Sequence, residues 1–109
     1  MVYIVGDAWY PLHLAPKVGK AFLEAIKKYP HDKSLGKQVI DSAVQTVKDG
    51  IHAFGVMKVK EGKIKEAMDL VNKRLLMVAA VEGYQYKLRV YYEMAEALPF
   101  VGLEAPDES

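Results

Sequence analysis

Four ionisable residues could carry chemistry if the fold brings them together: Asp7, His52, Lys87 and Arg89. Histidine is the side chain that titrates near neutral pH, so His52 could transfer a proton while Asp7 orients its ring. Arg89 could bind a carboxylate or phosphate through two parallel hydrogen bonds. A structural interpretation stays open beside this one, in which Asp7 and Arg89 form an ion pair and His52 packs near a hairpin turn. Both interpretations need strands that carry these residues on one face of a sheet.

Four segments have the composition or the alternation of β-strands. Val2–Tyr10 is rich in β-branched and aromatic residues and ends before Pro11. Lys37–Val47 and Ile51–Lys60 lie on either side of a turn signal, and Tyr84–Tyr92 alternates in side-chain type. Alternate residues of a strand point to opposite faces, so each segment predicts two distinct faces.

The turn signal between the second and third strands is Asp49-Gly50, a pair that suits a tight two-residue hairpin turn. Such a turn predicts that Val47 faces His52 and that Asp41 faces Lys58 as a cross-strand ion pair. A four-residue loop keeps this register, whereas a three-residue loop would shift it.

Two segments show apolar residues at spacings of three and four, which predicts one buried helical stripe in each. The first follows Pro16, and Pro30 stops it. The second follows Glu61-Gly62, and Gly83 closes it. The stripes consist of Val18, Ala21, Phe22, Ala25, Ile26 and Tyr29 in the first helix and of Ile64, Ala67, Met68, Val71, Leu75, Val78 and Ala79 in the second.

The bulk composition argues against several classes of protein and site. A chain of 109 residues with a net charge of +1 predicts one compact domain, residues 1–103 with a polar tail at 104–109, and no nucleic-acid partner. The absence of cysteine excludes disulfides, thiolate metal sites and cysteine nucleophiles. Histidine spacing and the lack of a phosphate-binding glycine loop predict neither a metal nor a cofactor. The longest apolar run, Leu75–Val81, is too short to span a membrane, so we expect no membrane partner and a cytoplasmic location.

The order β-α-β-β-α-β with short links predicts an α+β fold, in which a four-stranded antiparallel sheet of order 4-1-3-2 carries both helices on one face. This pattern resembles the ferredoxin-like α+β sandwich and, within it, the dimeric α/β-barrel superfamily. The resemblance covers roughly residues 2 to 92 and depends on the element order and on the hairpin sequence KDGIHAF.

The sheet face away from the helices, here called the open face, is predicted to carry an apolar strip of Val5, Trp9, Phe54 and Val56. A monomer seldom exposes so large an apolar patch, so we expect a second copy to cover it about a two-fold axis. The predicted partner is therefore the chain itself, as a homodimer or higher oligomer. The segment Met94–Leu103 either packs across its own sheet edge or crosses to the neighbour, and we favour the second arrangement.

The resemblance implies a function as well, because members of the dimeric α/β-barrel superfamily often bind or transform small molecules inside the barrel. We therefore expect a small-molecule-binding module with its chamber on the open face. A cofactor-independent enzyme of the oxygenase or isomerase type and a purely structural assembly module are the alternatives. The candidate ligand-binding residues of the chamber are Asp7, Trp9, His52, Phe54, Lys87 and Arg89.

Overall fold

The structure is a computed structural model that describes residues 1–104, so the predicted tail lies outside the described residues apart from Glu104. The main elements in chain order are β1 (Val2–Tyr10), α1 (Ala15–Lys28), β2 (Gly36–Val47), β3 (Gly50–Val59), α2 (Ile64–Ala79), β4 (Gln85–Tyr92) and α3 (Met94–Ala97). Short 3-10 helices precede α1 at Leu12–Leu14 and follow α3 at Leu98–Val101.

The four strands form one antiparallel sheet in the order β2-β3-β1-β4. Read from the β4 edge, the same neighbours are β4-β1-β3-β2. The central strands β1 and β3 pair without interruption from Val2 opposite Val59 to Tyr10 opposite Ile51. The α+β class and the four-stranded antiparallel sheet are thereby confirmed.

Both long helices cover the same face of the sheet. Ile4 of β1 and Met57 of β3 pack against Ala67 of α2 in one core cluster. Val18 of α1 and Val78 of α2 form a second cluster, against which Tyr10 and Tyr84 pack from the sheet. Because strand residues alternate, Asp7 and Trp9 of β1 point to the open face.

The hairpin between β2 and β3 differs from the predicted one. Val47 pairs with Gly50, so the turn residues are Lys48 and Asp49 rather than Asp49 and Gly50. Gly50 instead begins β3 with φ of 147°, where a Cβ would lie 2.3 Å from the Tyr10 carbonyl oxygen. The glycine therefore serves a close approach of two strands, and the turn falls one residue earlier.

This shift makes two predicted cross-strand pairs wrong. His52 pairs with Gln45 rather than Val47, and Lys58 pairs with Lys37 rather than Asp41. The register moves by two residues near the turn, so each side chain there keeps its predicted face.

Two irregularities of β2 that lie farther from the turn change the face on which its side chains lie. The register shifts between Gln38 and Ile40 and again between Ile40 and Ala43. Ile40 consequently pairs with Val56 of the open face, whereas the next residue, Asp41, lines a cavity on the helix side. The Gln38 side-chain amide donates to the carbonyls of Ile40 at 2.9 Å and Val56 at 3.2 Å, which replaces ladder bonds that the bulge disrupts.

The chain after β4 folds back into a short, largely exposed helical segment. Phe100 is 71% exposed, and its ring contacts that of Tyr92 edge to face. Glu93 anchors the start of this segment, because it accepts hydrogen bonds from Tyr3 at 3.2 Å and Lys58 at 2.8 Å. A crossing of the segment to a neighbouring chain stays a prediction. No helix within residues 1–104 is long and apolar enough to cross a membrane.

We predict that Gly50→Ala lowers the free energy of unfolding by about 2 kcal/mol or more, because the added methyl group meets the Tyr10 carbonyl and the backbone is strained. Gly62→Ala is the matched control, since Gly62 also has positive φ but its Cβ would meet open space. Urea unfolding followed by circular dichroism measures both. Equal losses in the two variants would contradict the close approach between β1 and β3.

Candidate functional site

A polar cluster on the open face joins three strands. The Asp7 carboxylate is buried, with only 5% of the residue exposed. His52 Nε2 lies 2.8 Å from Asp7 Oδ1, and Arg89 Nη2 donates to Asp7 Oδ2. An ionised carboxylate only accepts hydrogen bonds, so the Nε2 atom of His52 donates. We call these three residues the Asp7 cluster.

The strand register explains why these side chains meet. Phe54 and Lys87 lie directly opposite Asp7 on β3 and β4. His52 and Arg89 each lie two residues farther along those strands, in opposite directions, as diagonal neighbours on the same face. Long side chains span such diagonals, so one central carboxylate contacts both His52 and Arg89.

The contacts within the Asp7 cluster shift the pKa values of Asp7 and Arg89. Burial raises the pKa of Asp7, but the hydrogen bonds from His52 and Arg89 and the Arg89 charge outweigh it, so the pKa lies below its ordinary value. The hydrogen bond to Asp7 raises the pKa of Arg89. The cluster therefore holds an ionised aspartate at neutral pH.

Two aromatic rings stack on the imidazole of His52. The Trp9 ring stacks on it at 5.1 Å between centroids and an interplanar angle of 9°, and the Phe54 ring stacks at 6.4 Å and 30°. With Nε2 bound to Asp7, the Nδ1 atom keeps a lone pair that can accept a proton. This arrangement suits a base, and Arg89, with 43% of its side chain exposed, suits an anion contact.

The structure thus brings together five of the six candidate residues predicted from the sequence: Asp7, Trp9, His52, Phe54 and Arg89. The sixth, Lys87, is opposite Asp7 in the register, but its side chain is exposed and forms no ion pair within residues 1–104. No group of three or more histidine, aspartate or glutamate side chains in that range could hold a metal ion.

A second site lies on the other side of the sheet, between the strands and the helices. It is a cavity of about 300 Å³, here called the interlayer cavity. Its walls are mainly apolar and include Val18, Phe22 and Ile26 of α1, Val71, Leu75 and Val78 of α2, and Ile4, Ala53 and Met57 of the sheet.

Three glycines line the interlayer cavity. Gly6 pairs with Gly55 in the floor, where an added Cβ would crowd neighbouring atoms at either position. Gly19 lines the cavity from α1, and a Cβ there would meet no atom within 4 Å. Gly19, Ser42 and Val44 are exposed, whereas the floor residues Ile4 and Met57 are buried. The mouth therefore lies between α1 and the edge strand β2.

A few polar groups interrupt the apolar walls. Arg74 of α2 and Asp41 of β2 both line the cavity, and Ser42 lies near its mouth. Tyr10 and Tyr84 lie at the opposite end, with ring centroids 6.0 Å apart. Burial is the main cause that raises the pKa of Tyr84 to about 12, so its hydroxyl stays protonated at neutral pH.

Sequence reasoning missed the interlayer cavity, although two signals were present. Gly19 occupies the middle of α1, where glycine costs about 1 kcal/mol relative to alanine. Arg74 follows Val71 by three residues and precedes Val78 by four, which places a charge on the apolar stripe. Each is a departure from helix patterning that indicates a nearby opening.

Comparisons with known proteins give this chain no family. No protein-family model and no curated protein sequence matches it. A similar solved structure is the de novo designed protein Foldit4, at 14% sequence identity and a TM-score of 0.49, covering 84% of this chain and 96% of that chain. The resemblance to the dimeric α/β-barrel superfamily stays a prediction.

We predict that Asp7→Asn lowers the free energy of unfolding at pH 7 by about 2 kcal/mol, because it removes a charged acceptor from two hydrogen bonds. The pKa of Asp7 is lower in the folded chain, so its contribution is complete above the ordinary value of 3.8 and is lost as pH falls through the folded value. Urea unfolding between pH 7 and pH 2 should show the two proteins converging in acid.

Asp69→Asn is the control, since Asp69 forms an exposed i,i+4 ion pair with Lys65 that contributes little. An Asp7→Asn loss no larger than that of the control, or a loss that persists unchanged at pH 2, would contradict the role of the Asp7 cluster.

Proposed function

We propose that this protein is a small-molecule-binding module whose ligand occupies the interlayer cavity. The main support for this proposal is the cavity itself, which has a volume of about 300 Å³, largely apolar walls and a mouth between α1 and β2. Ligand pockets in proteins measure about 300–1,000 Å³ and combine apolar walls with a few polar groups. The volume, the wall chemistry and the access route all suit a compact organic molecule.

The energetics of the cavity favour an occupant. The cavity is open to solvent at its mouth, so its apolar walls contact water when no ligand is bound. A ligand that removes these walls from water gains about 25 cal/mol for each Å² of apolar surface buried. Because such a ligand binds only the folded chain, binding would also raise stability.

We also propose the finer fold assignment, a ferredoxin-like α+β sandwich. The strand-helix order and the central position of β1 and β3 support it. This assignment bears on the cavity, because two helices that cross one face of such a sheet leave the edge strand β2 partly uncovered. The exposure of Val44 at 59% supports that geometry.

We predict that Gly19→Leu raises the free energy of unfolding by about 0.5–1 kcal/mol, because leucine is the better helix former. The same substitution should narrow the mouth of the cavity. Binding of the neutral fluorescent probe N-phenyl-1-naphthylamine should weaken by about 10-fold or more, since the leucine occupies ligand space. Fluorescence titration measures the affinity, and thermal unfolding measures the stability.

Lys20→Leu is the matched control, because it places the same side chain on α1 outside the cavity lining. It should bind the probe as the unchanged protein does. No saturable probe binding to the unchanged protein, or equal weakening in both variants, would contradict the proposed site.

A second candidate function follows from the Asp7 cluster. We propose that a second copy of the chain covers the open face and that the chamber between the copies places a substrate against His52 and Arg89. The imidazole oriented by Asp7 and stacked by Trp9 supports proton transfer of the isomerase or oxygenase type. A purely structural dimer remains the third candidate, distinguished by a closed interface with no ligand.

We predict a homodimer at low micromolar concentration, and we expect Trp9→Lys to shift it to monomer because a charge then enters the apolar strip. Leu23→Lys is the control, since Leu23 is 69% exposed on α1, away from the open face. Light scattering measures the mass of each. A monomeric unchanged protein, or dissociation of both variants, would refute covering of the open face by a second copy.

A further inference from the structure

Arg74 is the feature of the interlayer cavity that its apolar walls do not explain. It lies on α2 among the lining residues Val71, Leu75 and Val78 and is itself half-buried. Its Nε atom donates to the Tyr29 carbonyl oxygen at 2.6 Å, at the C-terminal end of α1. This bond uses one of the five N–H groups of the guanidinium and leaves four for further partners.

The charge on Arg74 is only partly balanced. Burial lowers the pKa of Arg74, and the negative charge of Asp41 opposes that effect. Within residues 1–104, however, no carboxylate lies within the ion-pair distance of 4.0 Å from this guanidinium. Its one hydrogen-bond partner in that part of the chain is the neutral carbonyl of Tyr29. Buried cations are usually paired, so the cavity contains a cation that an anionic ligand would complement.

We propose that the ligand is a small apolar acid, whose carboxylate binds Arg74 and whose apolar body fills the cavity toward Val18 and Val78. This inference rests on the proposed function, and it adds the chemical class of the ligand. The guanidinium presents parallel N–H groups to a carboxylate, a geometry that a neutral amide cannot match. The carboxylate of Asp41 is exposed at the β2 side, where solvent screens its competition for Arg74.

Two isosteric probes test this proposal: 2-naphthoate, which carries the carboxylate, and 2-naphthamide, which does not. Isothermal titration at pH 7 should give 2-naphthoate an affinity about 10-fold or more above that of 2-naphthamide. Arg74→Gln should remove most of this preference, because the affinity for 2-naphthoate should fall much more than the affinity for 2-naphthamide. Arg74→Lys should keep part of the preference, because it retains the charge without the planar fork.

Lys73→Gln is the matched control, since it removes an exposed positive charge from the adjacent position of α2. It should keep the full preference for 2-naphthoate. Thermal unfolding of each variant measures the stability that is lost with the Tyr29 hydrogen bond. A damaged fold would weaken the binding of both probes equally, whereas a lost anion contact would weaken mainly the binding of 2-naphthoate. An acid preference that survives in Arg74→Gln, or that disappears equally in Lys73→Gln, overturns the assignment of Arg74.

The two levels of the proposal fail differently. Equal binding of both probes to the unchanged protein, with N-phenyl-1-naphthylamine still bound, overturns the acid assignment and leaves the cavity as a binding site. Binding of none of the three probes overturns the acid assignment and the proposed function together.

Discussion

The uninterrupted pairing of β1 with β3 is the constraint on which both candidate sites depend. This register places Gly6 opposite Gly55 and Trp9 opposite His52, and strand alternation then divides the residues between the two faces. The helix-side face receives the glycine floor of the interlayer cavity, and the open face receives the Asp7 cluster. A slip of one residue would exchange these faces, burying Asp7 beneath the helices without its partners.

The two faces of the sheet differ in the contacts that this register creates. On the open face, ionised Asp7 accepts hydrogen bonds from His52 and Arg89, and stacked rings restrict His52. On the helix side, Gly19 leaves space at the mouth of the interlayer cavity, because a Cβ there would meet no atom within 4 Å. Gly6 and Gly55 differ, since a Cβ would lie 3.2 Å from Leu88 Cδ2 and 2.9 Å from the Asp41 carbonyl oxygen, so these two glycines permit close packing.

Sequence alone predicted the features that follow from local patterning. The first strand has the predicted bounds, Val2–Tyr10, and α2 (Ile64–Ala79) contains the whole predicted apolar stripe but ends before Gly83. Alternation brought Asp7, His52 and Arg89 to one face. The predicted hairpin register was wrong because Gly50 is required by the nearby Tyr10 carbonyl of another strand and not by the turn. Local turn rules do not include such a tertiary contact. The β2 bulges and the interlayer cavity were not predicted for the same reason, because both depend on tertiary packing and not on local sequence patterns.

The most direct test of the central claim is a titration of ¹⁵N-labelled protein with N-phenyl-1-naphthylamine, followed by amide and indole chemical shifts. Occupation of the interlayer cavity predicts saturable shifts at the amides of Gly6, Gly19 and Gly55, with the Trp9 indole signal of the open face unchanged. Shifts confined to the Trp9 indole and its neighbours, with the three glycine amides unmoved, would contradict the account.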